Sequence, residues 1–329
     1  MIILVTGGLG FVGINIVRGL AARPGVRVVA ADVLPWDDAS DHFLAPVRAQ
    51  VVYRRLDVCN RAAVLDVVGA ESVTHIIHAA AITATDEEER NRAAEIVAVN
   101  LQGSIHVLDA ALSAPTVERA IVVSSSGVYG APAGDPEQPV RETDALNLTN
   151  LYAITKHSAE LLAARYAVLG GRPMAAVRLP GIYGPMERSK ASRRHTSAPG
   201  LLMAALGEGR AVRVAGPGVY RDWTYAADVA HGIAALLAAP RWRHAVYNLS
   251  CGVAVPFRAV VDAFAAAGLH AEWVADADEA DIAMRPPQTR AALAIDRLRD
   301  DTGFAPGFAL AAGIAAWVGA ASNAVRDVM

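Results

Sequence analysis

Through the first half of the chain, short apolar runs rich in β-branched residues alternate with longer segments whose apolar positions recur every three or four residues. The short runs occupy residues 2–5, 26–31, 50–56, 75–78, 120–124 and 175–179. The helical patterns between them cover 13–22, 62–68, 94–112 and 151–169. Such alternation predicts βαβ units, and so an α/β fold with a doubly wound parallel sheet carrying helices on both faces. From Pro180 onward the pattern loosens and Pro and Gly become frequent. There the basic stretch 186–199 reads as a mobile surface loop. The apolar, Ala- and Gly-rich stretch 308–321 is too short to span a bilayer and reads as a C-terminal packing helix.

Composition narrows the picture. Of 329 residues 53% are hydrophobic and 19% charged, which excludes a disordered chain. A net charge of −3 lacks the basic footprint of a nucleic-acid binder. The cluster Arg188 to His195 reads as a solvated loop over the second half, so no nucleic-acid partner is expected. Two cysteines, Cys59 and Cys251, stand far apart, and the nine histidines show no ligand spacing. Neither a disulfide framework nor a metal is therefore expected. No charged n-region or long apolar h-region opens the chain, and a cytoplasmic protein with no membrane partner is expected. Among 30 basic residues only Lys156 and Lys190 are lysines. In a chain that uses Arg almost everywhere, a Lys marks a place where Arg does not serve.

The chemistry starts at Thr6-Gly7-Gly8-Leu9-Gly10-Phe11-Val12-Gly13, directly after a strand pattern and opening a helix pattern. Glycine is needed where such a turn is tight, where backbone approaches a pyrophosphate, and where helix packs on sheet. The helix N-terminus then offers free N–H groups to the phosphates. Asp32 ends the next strand at the spacing of a ribose 2′-OH ligand, and Val33-Leu34-Pro35 supply no Arg for a 2′-phosphate. The cofactor read from these residues is NAD.

Tyr152 and Lys156 stand one helical turn apart on one face. A nearby ammonium favours the phenolate, which makes Tyr152 a usable acid/base near neutral pH. Upstream, the strand 120–124 runs into Ser124-Ser125-Ser126-Gly127-Val128-Tyr129-Gly130. Ligands of a doubly wound sheet sit at such strand ends, where a Ser can steady charge on a reacting oxygen. A serine cluster there is also an ordinary turn former.

Together, the glycine loop, Asp32, Asp57-Val58, His78 to Ala81, Asn100, Ser124 to Gly130, Tyr152/Lys156 and Arg178 to Pro185 resemble the extended short-chain dehydrogenase/reductase family, NAD-dependent sugar epimerase/dehydratase type. The match continues through Arg221 to Tyr225, Asp228, Tyr247 to Leu249 and Arg285-Pro286-Pro287, nearly the whole chain. The resemblance implies a Rossmann-like NAD-binding domain over 1–179, with 222–250 returning to it, and a smaller mixed α/β C-terminal substrate lobe over 180–329. It also implies a homodimer joined through the helices around 100–112 and 152–169. Tyr152 would be the acid/base, Lys156 its partner and ribose ligand, and Ser125 the catalytic hydroxyl. Gly7, Gly10, Phe11, Val12, Gly13, Asp32, Asp57, Val58, Ala79, Ala80, Ala81, Asn100, Pro180 and Ile182 would hold the cofactor. Ser125, Ser126, Arg221 and Arg285 would hold the substrate, the arginines on a diphosphate.

The chain departs from the family's pattern at three places. Dehydratases of the family follow the catalytic hydroxyl with Asp-Glu, where this chain has Ser126-Gly127, which disfavours loss of water. Gly181 stands where many members have Asn. The segment after His78 is acidic, Thr85-Asp86-Glu87-Glu88-Glu89, and reads as a solvated helix face. The resulting expectation is a nucleotide-sugar epimerase of the UDP-glucose 4-epimerase kind. An NAD-dependent dehydrogenase of a sugar acid or other secondary alcohol is the alternative, and a non-catalytic NAD-binding protein stands behind both.

Overall fold

The computed structural model describes residues 1–130, 138–190, 192, 193 and 195–326, with side chains up to residue 321. Its first half runs β1 (Ile2–Thr6), α1 (Phe11–Ala21), β2 (Arg27–Asp32), α2 (Asp38–Leu44), β3 (Val51–Arg55), α3 (Arg61–Ala70), β4 (His75–His78), α4 (Asp86–Val97), α5 (Gly103–Ser113), β5 (Arg119–Ser125), α6 (Leu151–Gly170) and β6 (Met174–Leu179). The second half adds β7 (Gly181–Tyr183), α7 (Ala198–Gly207), β8 (Val212–Ala215), β9 (Tyr220–Tyr225), α8 (Ala226–Ala238), β10 (Val246–Asn248), β11 (Ala254–Pro256), α9 (Phe257–Ala266), β12 (Ala271–Trp273), β13 (Ile282–Ala283), α10 (Asp296–Thr302) and α11 (Leu310–Arg326).

Seven strands form one sheet in the order β10-β6-β5-β4-β1-β2-β3, every pair parallel. Because successive side chains alternate, Ile3 and Val5 of β1 enter one core while Leu4 enters the other. Both faces are covered, so these strands read as continuous apolar runs rather than alternating ones. Over one face lie Ile14, Val17 and Leu20 of α1 with Ile233, Leu236 and Leu237 of α8. The other face holds Val64 and Val68 of α3, Val107 and Leu108 of α5, and Ala159 and Ala163 of α6. Strand order reverses between β1 and β4, which opens the crevice where ligands of this architecture bind.

The second half adds two three-stranded sheets, β11-β9-β7 with mixed pairing and β12-β8-β13. Its core gathers Trp223, Phe257, Phe264, Ile314 and Trp317. The return of chain to the Rossmann lobe reaches beyond β10: Leu298 of α10 and Phe304 after it are buried in the same core as α1 and α8.

Several local details differ from the sequence pattern. The acidic run after His78 opens α4 through a capping box in which Thr85 and Glu88 satisfy each other's backbone N–H groups. The expected helix over 94–112 is continuous but widens into a π-helical turn, Ala98–Gln102, between α4 and α5. The whole helical run Asp86–Ser113 has the length and hydropathy of a membrane span, yet half of its apolar window is buried inside the protein. The 186–199 segment, expected to be a mobile surface loop, lies against the Rossmann lobe at the residues described, with Ala191 and Arg194 outside them; Pro199 already belongs to α7.

Candidate active site

The glycine loop lies at the carboxyl end of β1, where its geometry leaves no choice of residue. Gly7 has φ +67°, and a Cβ there would sit 2.7 Å from the Ala80 backbone. A Cβ on Gly13 would lie 1.9 Å from the Gly7 carbonyl oxygen. The first turn of α1 can therefore press directly on the loop, leaving its N–H groups open to the cleft. Asp32 at the end of β2 accepts hydrogen bonds from Leu9 N–H (2.9 Å) and Leu34 N–H (3.0 Å), which ties loop to strand.

One half of the crevice is lined by Gly7, Gly10, Asp32, Asp57, Val58 and Ala79 to Ile82. The other, larger half is lined by Gly7, Gly10, Phe11, Val12, Gly13, Ser125, Tyr152, Lys156, Pro180, Ile182 and Arg221. The glycine cradle, which any Cβ would fill, and the carboxylate at the strand end fit a dinucleotide stretched across both halves. Asn100 stands behind this crevice rather than in it. It is 2% exposed, accepts from Ile82 N–H, and donates to Ile82 carbonyl and Thr155 Oγ1. From the π-turn it thus pins the strand-end loop to α6 beside the reacting residues. His78 is buried between Thr6 Oγ1 (2.7 Å) and Ser104 Oγ (3.0 Å), and burial pushes its imidazole down to about 3.

Tyr152 lies in the first turn of α6, whose N-cap Asn150 accepts from Ala153 N–H. Burial raises its phenol, while the hydroxyls of Ser125 and Thr83 and the charge of Arg193 pull it back toward ionisation. Lys156, 4% exposed, donates to the Val123 carbonyl at 2.7 Å and stands 5.8 Å from the Tyr152 ring centroid. Burial brings its ammonium down to about 8, with Glu160 working the other way. Behind it Glu160 pairs with Arg178 (2.6 Å) and accepts from Ser124 Oγ. Arg178 in turn donates to Tyr129 hydroxyl, and Tyr129 to Asn248. Every member of this buried chain has a partner, so it stiffens the strand end that presents Ser125.

The two arginines expected on a substrate diphosphate part company. Arg221, on β9, lines the larger cavity, stacks over Trp223 at 5.3 Å, and is brought down to about 10 by burial and by the charge of Arg290. Arg285 is exposed and paired with Asp278, outside the lining of the crevice. The second cation beside Arg221 is Arg290, held because its N–H donates to the Tyr220 carbonyl. Arg290 and Ser126 line the same small pocket as Arg221. Neither Arg221 nor Arg290 has a carboxylate partner among the described residues. Gly181 is explained by its neighbour: a Cβ there would lie 2.9 Å from the Trp223 ring, which fills that space. Trp223 Nε1 is buried without an acceptor.

A parallel sheet with a glycine-rich turn at its switch point and a Ser/Tyr/Lys trio across from it defines a dinucleotide-dependent enzyme of the short-chain dehydrogenase/reductase class. More narrowly, residues 3–250 match the model of the NAD dependent epimerase/dehydratase family, and the chain belongs to that family. It is 30% identical to dTDP-glucose 4,6-dehydratase of Streptomyces griseus over 96% of this chain and 92% of that protein. Among solved structures it is similar to UDP-glucose 4-epimerase of Thermus thermophilus in complex with NAD (26% identity, TM-score 0.78, 97% and 98% of the two chains). MoeE5 in complex with UDP-glucuronic acid and NAD is equally similar (25% identity, TM-score 0.77, all of both chains). The protein is an NAD-dependent enzyme of the nucleotide-sugar epimerase/dehydratase family.

Proposed function

We propose that the protein is a cytoplasmic, homodimeric nucleotide-sugar epimerase of the UDP-glucose 4-epimerase kind. One observation carries the reading. Among the described residues, Ser125, Tyr152 and Lys156 open on a cavity with no Asp or Glu in its lining, and its far wall holds Arg221 without a counter-ion. Loss of water from a sugar needs an acid and a base beside the hydroxyl, and Ser126-Gly127 stand where those carboxyls belong. Arg221 and Arg290 form a doubly charged pocket suited to a diphosphate. Cys59 and Cys251 are both unpaired, as a reducing compartment keeps them.

Gly7, Gly10, Gly13 and Asp32 would hold NAD, with Lys156 on the nicotinamide ribose, and NAD supplies a hydride acceptor that can give the hydride back. Tyr152 takes the proton from the sugar hydroxyl, helped toward phenolate by Ser125, Thr83 and Arg193. Ser125 steadies the oxygen as it becomes a carbonyl. After the keto sugar turns over in the pocket, Tyr152 returns the proton on the opposite configuration. Arg193 and His195 near the reacting end favour, as a second reading, oxidation of a sugar acid.

The test is turnover of UDP-sugars, other nucleotide sugars and free sugar acids by the purified protein, with and without added NAD, followed by NMR and by NADH absorbance. Epimer formation without NADH build-up is the expected result. NADH accumulating from a free sugar acid overturns the epimerase in favour of the dehydrogenase.

A further inference from the structure

Lys190 received no role from the sequence, yet its placement parallels that of Lys156: each lysine reaches into the Rossmann lobe and ends on one backbone carbonyl. Lys190 Nζ donates to the carbonyl of Leu9, in the middle of the glycine loop, at 2.5 Å. The described residues of the strap that carries it, 186–190, 192, 193 and 195–197, follow β7 and touch the Rossmann lobe at several points before α7 begins. Arg188 pairs with Asp37 at 2.9 Å. The Ser192 carbonyl accepts from Thr83 N–H, and the Arg193 guanidinium lies over the Phe11 ring at 5.1 Å. The backbones of Lys190 and Arg193 exchange both N–H···O bonds, which ties these two residues to each other. Glu187, whose side chain is 1% exposed, holds its base by pairing with Arg193 and accepting from Ser197.

The strap crosses at a telling place. Ser192 lines both cavities, as do Gly7 and Gly10 across from it. A dinucleotide spanning the two halves would have its pyrophosphate between the glycine loop and Ser192. We infer that Lys190 is the latch of a cofactor gate: its bond to the Leu9 carbonyl holds the strap down over bound NAD, and NAD leaves or enters only when that bond opens. A Lys suits the place because a compact ammonium can end on a single carbonyl, whereas the Arg fork needs acceptors at two or more points. Asp32 and Asp37 face the same ammonium and favour its charged form, against burial and Arg188. The inference rests on the cleft being that of NAD and is independent of which substrate is turned over.

Lys190→Met keeps the apolar stem and removes the ammonium. The measurement is stopped-flow binding and release of NADH, read by its fluorescence on the purified full chain. Release is expected to rise about tenfold, or about 1.4 kcal/mol. Entry is expected to quicken with it, because both pass through the open strap, so the dissociation constant moves less than either rate. Arg188→Ala, which frees a second anchor, is expected to add to the effect. An unchanged release rate overturns the inference. A faster release with unchanged entry also overturns it, since Lys190 would then be an ordinary ligand contact. A Lys190 that only stabilised the fold would lower the melting temperature of the NAD-free protein and leave both rates alone.

Discussion

Lys156→Arg preserves charge and one-turn spacing from Tyr152, and is expected to cripple the enzyme. Lys156 is 4% exposed and directs one N–H to the Val123 carbonyl at 2.7 Å. A guanidinium is larger and carries five N–H donors in a fixed fork, for which the structure offers this single backbone acceptor. Overpacking costs about 1–3 kcal/mol in a tight site, and each buried N–H left without an acceptor adds about 1–3 kcal/mol unless it reaches the cleft. Displaced from the phenol and ribose, the cation loses its part in acid–base transfer, worth about 10²-fold or more in turnover. The assay pairs turnover of the nucleotide sugar with NAD titration. A pH series adds an independent signature. Burial has brought Lys156 down to about 8 from the ordinary 10.5. Between those values the unfolded chain binds a proton that the folded chain does not, so this group makes stability rise with pH from about 8 to 10.5. The arginine variant, charged throughout, should lose that slope and any break in turnover near pH 8. Turnover within threefold of the parent, with NAD affinity intact, would show that Arg serves at this position as well as Lys.

Three further outcomes are expected. Gly13→Ala would place a Cβ 1.9 Å from the Gly7 carbonyl and must spread the glycine loop, so NAD affinity by calorimetry should fall about 100-fold, or about 2.7 kcal/mol; unchanged affinity would contradict the cradle. His78 titrates near 3 when folded against 6.5 when free, so the unfolded chain takes a proton first and stability should fall as pH drops from 6.5 toward 3. Denaturant midpoints of a His78→Gln variant should lose most of that acid dependence. On α6 the side chains Ile154, Leu161 and Val168 are exposed at seven-residue spacing, Val168 at 72%. If the proposed homodimer joins through this face, Leu161→Glu with Val168→Glu should convert it into a monomer in analytical ultracentrifugation, and an unaltered sedimentation coefficient would contradict that placement.

What could be read from the sequence follows from how local each signal is. The glycine loop, Asp32 and the Tyr152/Lys156 pair are each set within one βα turn or one helical turn, and their spacing survives folding unchanged. Parallel strands buried on both faces declare themselves as apolar runs, so β1 to β6 were legible to within a residue or two. The short helix α2 was missed although Asp37 caps it, accepting from Ser40 N–H. What was hidden depends on long-range placement. The family resemblance pairs Arg285 with Arg221, but the neighbour of Arg221 is Arg290, because the backbone N–H of Arg290 pairs with Tyr220 one residue before Arg221. Asn100 belongs to a π-turn, which no 3.6-residue periodicity announces. The contacts of Lys190, Arg193 and Thr83 join an irregular segment to distant elements, and composition alone shows only a basic loop. The acidic run at 86–89, read from the sequence as a solvated helix face, forms the first turn of α4 and complements the helix dipole.

In the proposed reaction Tyr152 takes the hydroxyl proton as a hydride leaves the sugar carbinol, and the hydride returns to the same carbon. UDP-glucose deuterated at C4, turned over in ordinary water without added NAD and examined by NMR, tests this step. The expected product is epimerised and keeps its deuterium at C4, with no product when Tyr152 is replaced by Phe. Deuterium lost to solvent, or full turnover by Tyr152→Phe, would contradict it.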